Sequence, residues 1–160
     1  MSTIITERVS AEVDDDIVVF LIGMRINKLW KLWKWLPVVR AMPRMLAELS
    51  ANPDLGLLAY RSHVAGRDLS TTQYWKSAAH LQAFAHAENA THLPAWKAFY
   101  KSIGTSGDVG IWHETYVVPR ANLETIYLNM PRSGLGLAGR LFPSKGDRAT
   151  AAKRLQQSHA

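Results

Sequence analysis

Ile17-Val-Val-Phe-Leu-Ile22 is an unbroken apolar run dominated by β-branched residues, a pattern that predicts a strand buried on both faces. The period then changes. Val38, Val39, Met42, Met45, Leu46 and Leu49 recur at helical spacing, and Asn52-Pro-Asp54 closes the helix they define. Pro37 and Pro43 lie inside this pattern, and each is expected to break or kink it, because proline removes a helix hydrogen bond and clashes with the preceding turn. Gly56–Val64 and Leu69–Lys76 read as two strands joined by an Ala65-Gly-Arg-Asp68 turn, which makes a hairpin. Ser77 is placed to cap a helix over Ala78–Ala87 with Leu81 and Phe84 on one face. His92–Tyr100 is a further helical piece with Pro94 in its first turn, and Asp108–Val118 is a fourth strand.

The order strand, helix, strand, strand, helix, strand is that of a split βαβ unit, an α+β ferredoxin-like sandwich with an antiparallel sheet and two helices on one face. The other face of such a sheet needs a cover, and a second subunit is the expected one. The organisation predicted is a flexible arm over residues 1–13, one domain over 14–136, and a basic, mobile tail over 137–160.

Composition narrows the function classes. Hydrophobic residues make up 48% and charged residues 20% of the 160, which suits a globular domain. The absence of cysteine removes disulfides, thiolate metal sites and thiol nucleophiles. The start of the chain carries Glu7, Arg8 and Glu12 where an export signal would need an apolar stretch, so a cytoplasmic location is expected. The net charge of +6 is concentrated: six bases and no acid between Arg25 and Arg44, and five bases with one acid from Arg140 onward. Charge alone would suit nucleic acid, but no groove-reading or base-stacking element accompanies it, so no nucleic-acid partner is expected. Lys28–Leu36 interleaves Lys28, Lys31 and Lys34 with Trp30, Trp33 and Trp35, and three readings stand open. It could be a surface for peripheral membrane contact, a lid over an apolar pocket, or a helix entrance with its lysines in solvent.

Two histidines stand out by position. Alternation along the fourth strand puts Val109, Ile111, His113, Thr115 and Val117 on one face and Trp112, Glu114 and Tyr116 on the other, so His113 is the polar member of a largely apolar row. It is either a hydrogen-bonded structural residue or a base, donor or ligand facing a cavity. His92 opens a helix, where exposed N–H groups favour the neutral imidazole. No zinc-binding H-E-x-x-H, nucleophile elbow or phosphate loop occurs.

The stretches Tyr74-Trp-Lys-Ser-Ala-Ala-His-Leu-Gln-Ala-Phe84, Leu36-Pro-Val-Val-Arg-Ala-Met-Pro-Arg-Met-Leu46, His92-Leu-Pro-Ala-Trp96, Gly107-Asp-Val-Gly-Ile-Trp-His-Glu-Thr-Tyr116 and Asn129-Met-Pro131 together carry a resemblance. The sequence resembles a monooxygenase-like family, formerly a domain of unknown function, that includes a fungal monooxygenase of the fumagillin cluster. That family sits within the antibiotic-biosynthesis-monooxygenase superfamily. The resemblance implies a dimeric α+β barrel, and so a homodimer, with a cavity between sheet and helices. It implies an oxidoreductase of monooxygenase type, with His92 and His113 at the matching family positions. The expected enzyme acts on an apolar, aromatic or polyenoic substrate with His92 or His113 as base, Trp96 and Trp112 shaping the cavity, and Ile111 and Thr115 lining it from the His113 face. Relatives include cofactor-free oxygenases and haem proteins, so either no cofactor or haem, held by His92 or His113, is implied. A carrier of a small hydrophobic ligand needs the same cavity.

Overall fold

The computed structural model describes residues 3–86, 101 and 104–158. The predicted piece His92–Tyr100, with His92 and Trp96, lies outside the described residues. The core is a four-stranded antiparallel sheet made by β2 (Ile17–Ile26), β3 (Leu57–Ala65), β4 (Asp68–Trp75) and β5 (Val109–Val118), in spatial order β3-β4-β2-β5. The first strand of the unit lies between the third and the fourth, which is the ferredoxin-like arrangement. Two helices follow the predicted places, α1 over Leu32–Ala51 and α2 over Ala78–His86.

Register decides which side chains meet the helices. Val18 pairs with Trp75, Ile22 with Thr71 and His113, and Met24 with Leu69 and Ile111. The even positions of β2, the odd positions of β4 and the odd positions of β5 therefore share the helix-covered face. Val18, Trp75, Met45, Leu46, Leu49 and Phe84 form one buried cluster there, and Met24, Ile26, Val38 and Val109 form another. The Trp75 and Phe84 rings, 5.7 Å apart between centroids, tie α2 to the same face.

Helix α1 is continuous through both prolines, against the expected breaks. A proline inside a helix costs about 3 kcal/mol. The buried row Val38, Met45, Leu46 and Leu49 offsets that, since a fully buried side chain of this size contributes about 1.5–3 kcal/mol.

Lys28, Lys31 and Lys34 do not lie free in solvent. Their Nζ atoms converge on the Asp108 carboxylate at 2.9, 2.7 and 3.1 Å, and Asp108 is fully buried. The Asp108 backbone carbonyl also accepts the N–H groups of Asn27 and Lys28, at 3.0 and 3.1 Å. One residue thus fixes the exit of β2, the approach to α1 and the start of β5. The lysines hold the Asp108 carboxyl well below the ordinary carboxylate range, through hydrogen bonds to the ionised form that outweigh the effect of burial. Trp30 and Trp33 point outward, each 68% exposed.

The ends of the chain correct the domain picture. Val9–Glu12 is a strand, β1, paired antiparallel with β6 (Arg140–Pro143), and Val9, Ser10 and Ala11 are buried. The expected flexible arm and mobile tail are therefore joined in a second, two-stranded sheet, continued by a short helix α3 (Leu135–Ala138) before β6 and by α4 (Ala151–Ser158) after it. The physical reason is a shared core. Ile17 of β2 packs with Ala11 and Leu135, flanked by Val19, Tyr74, Val118, Tyr127 and Leu141. The chain itself covers part of the sheet face that was assigned wholly to a second subunit. The tail's charges are used inside the fold. Arg148 donates to Glu12 at 2.6 Å and lies over the Phe142 ring, Arg154 donates to Glu124 at 2.6 Å, and Arg140 to Asp14 at 2.5 Å. Arg154 is itself buried. Among the described residues no helix is long and apolar enough to cross a membrane.

Two outcomes follow. Replacing Asp108 with Asn leaves three lysines facing an uncharged group, and denaturant unfolding at pH 7 should show a less stable protein. Because the folded carboxyl has a depressed pKa, its contribution is complete above about pH 4, the unfolded value, and is lost progressively below it. The gap between wild type and Asp108→Asn should therefore narrow at pH 3, and a gap constant with pH would contradict the clamp. Truncation after Gly136 should lower the melting temperature and raise binding of a hydrophobic dye, because β1 loses its partner and the Ile17 cluster its cover. A mobile tail would leave both unchanged.

Candidate functional site

Helix α1 does not close fully on the sheet. Between them lies a cavity of about 260 Å³. Val38, Met42 and Leu46 of α1 form its roof, and Ile22, Met24 and Ile111 contribute to its floor. Tyr60, Ser62 and Thr71 add the polar atoms on the same face, and no Asp, Glu, Lys or Arg of the described residues lines it. Ser62, His63 and Val64, at the hairpin end of β3, are exposed, so the cavity opens there. The volume lies just under the usual range for ligand pockets, about 300–1,000 Å³, and its mostly apolar lining with a few polar groups is typical of them.

Why a space persists here is visible in the sequence of β4. Its cavity-side residues run Leu69, Thr71, Gln73, Trp75, so the floor carries a small side chain at Thr71 where a larger one would meet Met42 and Leu46 from above. Gln73 and Trp75 are buried beside it. The Trp75 indole N–H donates to Gln73 Oε1 at 2.9 Å, and Gln73 Nε2 donates to Thr71 Oγ1 at 3.1 Å. The chain of donors ends at the cavity wall.

The predicted site residues fall in three places. Ile111 lines the cavity. His113 and Thr115 lie on the same sheet face, as the alternation predicts, but further along β5. His113 is opposite Ile22 in register, is exposed, and packs its ring against Phe20 with centroids 5.8 Å apart. Trp112 lies on the opposite face, over Gly23, where a Cβ would come within 2.7 Å of the indole. Gly23 is thus required by the flat approach of that ring. On the same outer face the Tyr116 hydroxyl donates to Glu114 at 2.7 Å, and this bond to an ionised carboxylate raises the tyrosine's pKa. His92 and Trp96 are outside the described residues. Gln73, Thr71 and Tyr60 were not singled out from the sequence. The signal for them was the interruption of the apolar row of β4 by Thr71 and Gln73 at alternate positions.

Haem requires an imidazole nitrogen free to bind iron and clearance beside it for the porphyrin. Among the described histidines none meets this in the cavity. His113 stacks on Phe20 outside its lining, and the His63 ring lies within 3.2 Å of the Thr72 hydroxyl, on the opposite face of the sheet. No group of three or more His, Asp or Glu among the described residues is placed to hold a metal ion. The described residues of this cavity do not fit haem.

The architecture recurs in known structures. An aldoxime dehydratase crystallised with butyraldoxime superposes with a TM-score of 0.67 at 18% identity, over 84% of this chain and 40% of the other. A second aldoxime dehydratase gives 0.62 at 17% identity, over 86% of this chain and 44% of the other. The chain therefore spans less than half the length of these enzymes, and the likeness is one of fold. A cofactor-independent oxygenase from Streptomyces nogalater is a more distant match, with a TM-score of 0.45 at 11% identity, over 64% of this chain and 93% of that one. No curated protein matches the sequence significantly. The family model described as Monooxygenase af470-like matches residues 17–135, the whole ferredoxin-like unit from the first residue of β2 to the first of α3, and the chain belongs to that family.

Proposed function

We propose that the protein is a monooxygenase-type oxidoreductase that holds an apolar, aromatic or polyenoic substrate between its sheet and helix α1. The observation that carries this reading is the cavity itself, roofed by Val38, Met42 and Leu46, floored by apolar side chains and free of charged lining among the described residues. Family membership supplies the reaction class. In the cofactor-free form of the reaction, a base removes a proton from the substrate, the electron-rich anion passes an electron to dioxygen, and recombination forms the new carbon–oxygen bond. The O–O bond of the resulting hydroperoxide then breaks as a second hydrogen leaves the substrate. One oxygen thus ends as a carbonyl in the product, the other leaves as water, and the substrate itself supplies all four electrons. His113 is the base best supported by the described geometry, exposed on the cavity-side face and opposite Ile22 in register. His92 has the same proposed role from the resemblance, and Trp96 the proposed role of shaping the pocket.

A homodimer is proposed with it. β5 is an edge strand, and Trp112, Glu114 and Tyr116 stand exposed on its outer face, the kind of edge that proteins protect by pairing or cover. The exposed Trp30 and Trp33 support a peripheral membrane contact through Lys28–Leu36. The lysines of that segment, engaged by Asp108, do not add to it.

Oxygen uptake by the purified protein, measured without added cofactor across a panel of hydroquinones and polyenes, should reveal a substrate. Val39→Phe, which fills the cavity from α1, should abolish its turnover while leaving the melting temperature within a few degrees. His113→Ala should lower kcat about 100-fold, the low end for a lost general base. Full activity in both variants would overturn the reading. An unaltered ligand recovered in stoichiometric amount, with no oxygen uptake, would make the protein a carrier. Light scattering should give twice 17.9 kDa, and a monomer would remove the dimer from the proposal.

A further inference from the structure

The buried chain Trp75–Gln73–Thr71 has a fixed direction. An indole N–H can only donate, so the Gln73 atom facing Trp75 at 2.9 Å is the carbonyl oxygen Oε1. The other side of the amide is then Nε2, which can only donate, and it meets Thr71 Oγ1 at 3.1 Å. Thr71 Oγ1 therefore accepts from Gln73, and its own proton must be given elsewhere. Thr71 is 96% buried, since only 4% of its surface is exposed, and it lines the cavity. Among the described residues no acceptor takes this proton. Ser62, its partner across the β3–β4 pair, is not hydrogen-bonded to it. A buried donor without an acceptor costs about 1–3 kcal/mol, so a ligand oxygen that takes the proton gains what the empty cavity lacks.

We infer that the cavity is built for an apolar molecule bearing a carbonyl or phenolic oxygen, and that the Thr71 hydroxyl donates a hydrogen bond to that oxygen. The inference rests on the apolar-substrate reading above and specifies its polar group. A molecule offering only a donor, such as a pyrrole-type N–H, could reach the second lone pair of Oγ1 but would leave the hydroxyl proton without an acceptor. The donor is also pre-aimed, because Gln73 and Trp75 are locked by burial. In the oxygenase reaction it stands where the substrate oxygen gains negative charge on deprotonation, and a hydrogen bond that strengthens with that charge lowers the barrier.

The test compares 1-tetralone with tetralin, which has the same bicyclic frame without the carbonyl, by calorimetric titration of the purified protein. Wild type should bind the ketone more tightly. Thr71→Val, which removes the hydroxyl at nearly constant volume, should weaken 1-tetralone about 3- to 10-fold, the worth of one ordinary hydrogen bond, and leave tetralin unchanged. Thr71→Ser should restore the preference. In wild type, the infrared carbonyl stretch of bound 1-tetralone should shift to lower frequency than in hydrocarbon solvent, a readout that holds even if Thr71→Val fails to fold. Equal loss of both probes in Thr71→Val, or an unshifted carbonyl band, would overturn the inference while leaving the apolar cavity intact. Failure of wild type to bind either probe would remove the cavity reading and the inference together.

Discussion

Asp108 and the three lysines around it set the geometry on which the site depends. The carboxylate gathers Lys28, Lys31 and Lys34, spaced so that all three reach one point from the approach and first turn of α1. The Asp108 carbonyl meanwhile holds the N–H groups where β2 ends. The register of β5 against β2 is thereby tied to the position at which α1 begins. A buried carboxylate is expensive without partners, and a single lysine would leave one oxygen under-satisfied. Three cations also crowd one another, and only the shared anion makes their closeness tolerable. The start of the helix is pinned over one end of the sheet, and its buried Leu46 and Leu49 pin the other. Between the two anchors Val38 packs in the cluster with Met24, and Met42 beyond it roofs the space that stays open.

A cavity between anchored layers is not free. Interiors pack like organic crystals, and unfilled space forfeits contacts on every wall. The sequence holds it open by local choices. Thr71 is short, and Gln73 next to it on the same face is held against Trp75 by its hydrogen bond rather than lining the space. Pro43 lies in the roof and cannot donate a helix hydrogen bond. Each choice is locally unfavourable for stability, a buried glutamine, a helical proline, an unmet hydroxyl. Their coincidence around one space is better explained by an occupant than by architecture.

The order of strands and helices is legible because each element announces itself locally. Ile17–Ile22 is uniformly apolar, Met42 to Leu49 repeats at helical spacing, and Gly66 at φ +60° sits in the hairpin turn that the sequence marks. The pairing of β1 with β6 is illegible for a physical reason. Four-residue strands carry little periodic signal, and their partners lie about 130 residues apart, so only the shared cluster around Ile17 brings them together. The continuity of α1 was hidden for a related reason, since a proline's local cost is visible in sequence and the distant burial that offsets it is not. In the site, alternation placed His113 and Ile111 on the correct face of β5. The same rule applied to β4 would have exposed Thr71 and Gln73 as polar residues in a buried row. The convergence of the lysines could not have been found that way, because Asp108 lies some 75 residues from Lys31 and looks like an ordinary turn residue.

The distribution of charge separates architecture from recognition. Six of the eleven bases in the two basic segments that first suggest an anionic partner are held inside the fold by Asp108, Glu12, Glu124 and Asp14. Among the described residues the cavity lining is uncharged, so selection by them acts through shape and through neutral donors and acceptors. That division suits chemistry in which charge appears on the substrate rather than on the protein. A fixed lysine at the wall would hold an anionic ground state as strongly as a developing one and accelerate nothing, whereas a neutral hydroxyl contributes little until the charge forms. The side chains that carry full charge fix where the walls stand, and the neutral ones decide what fits between them.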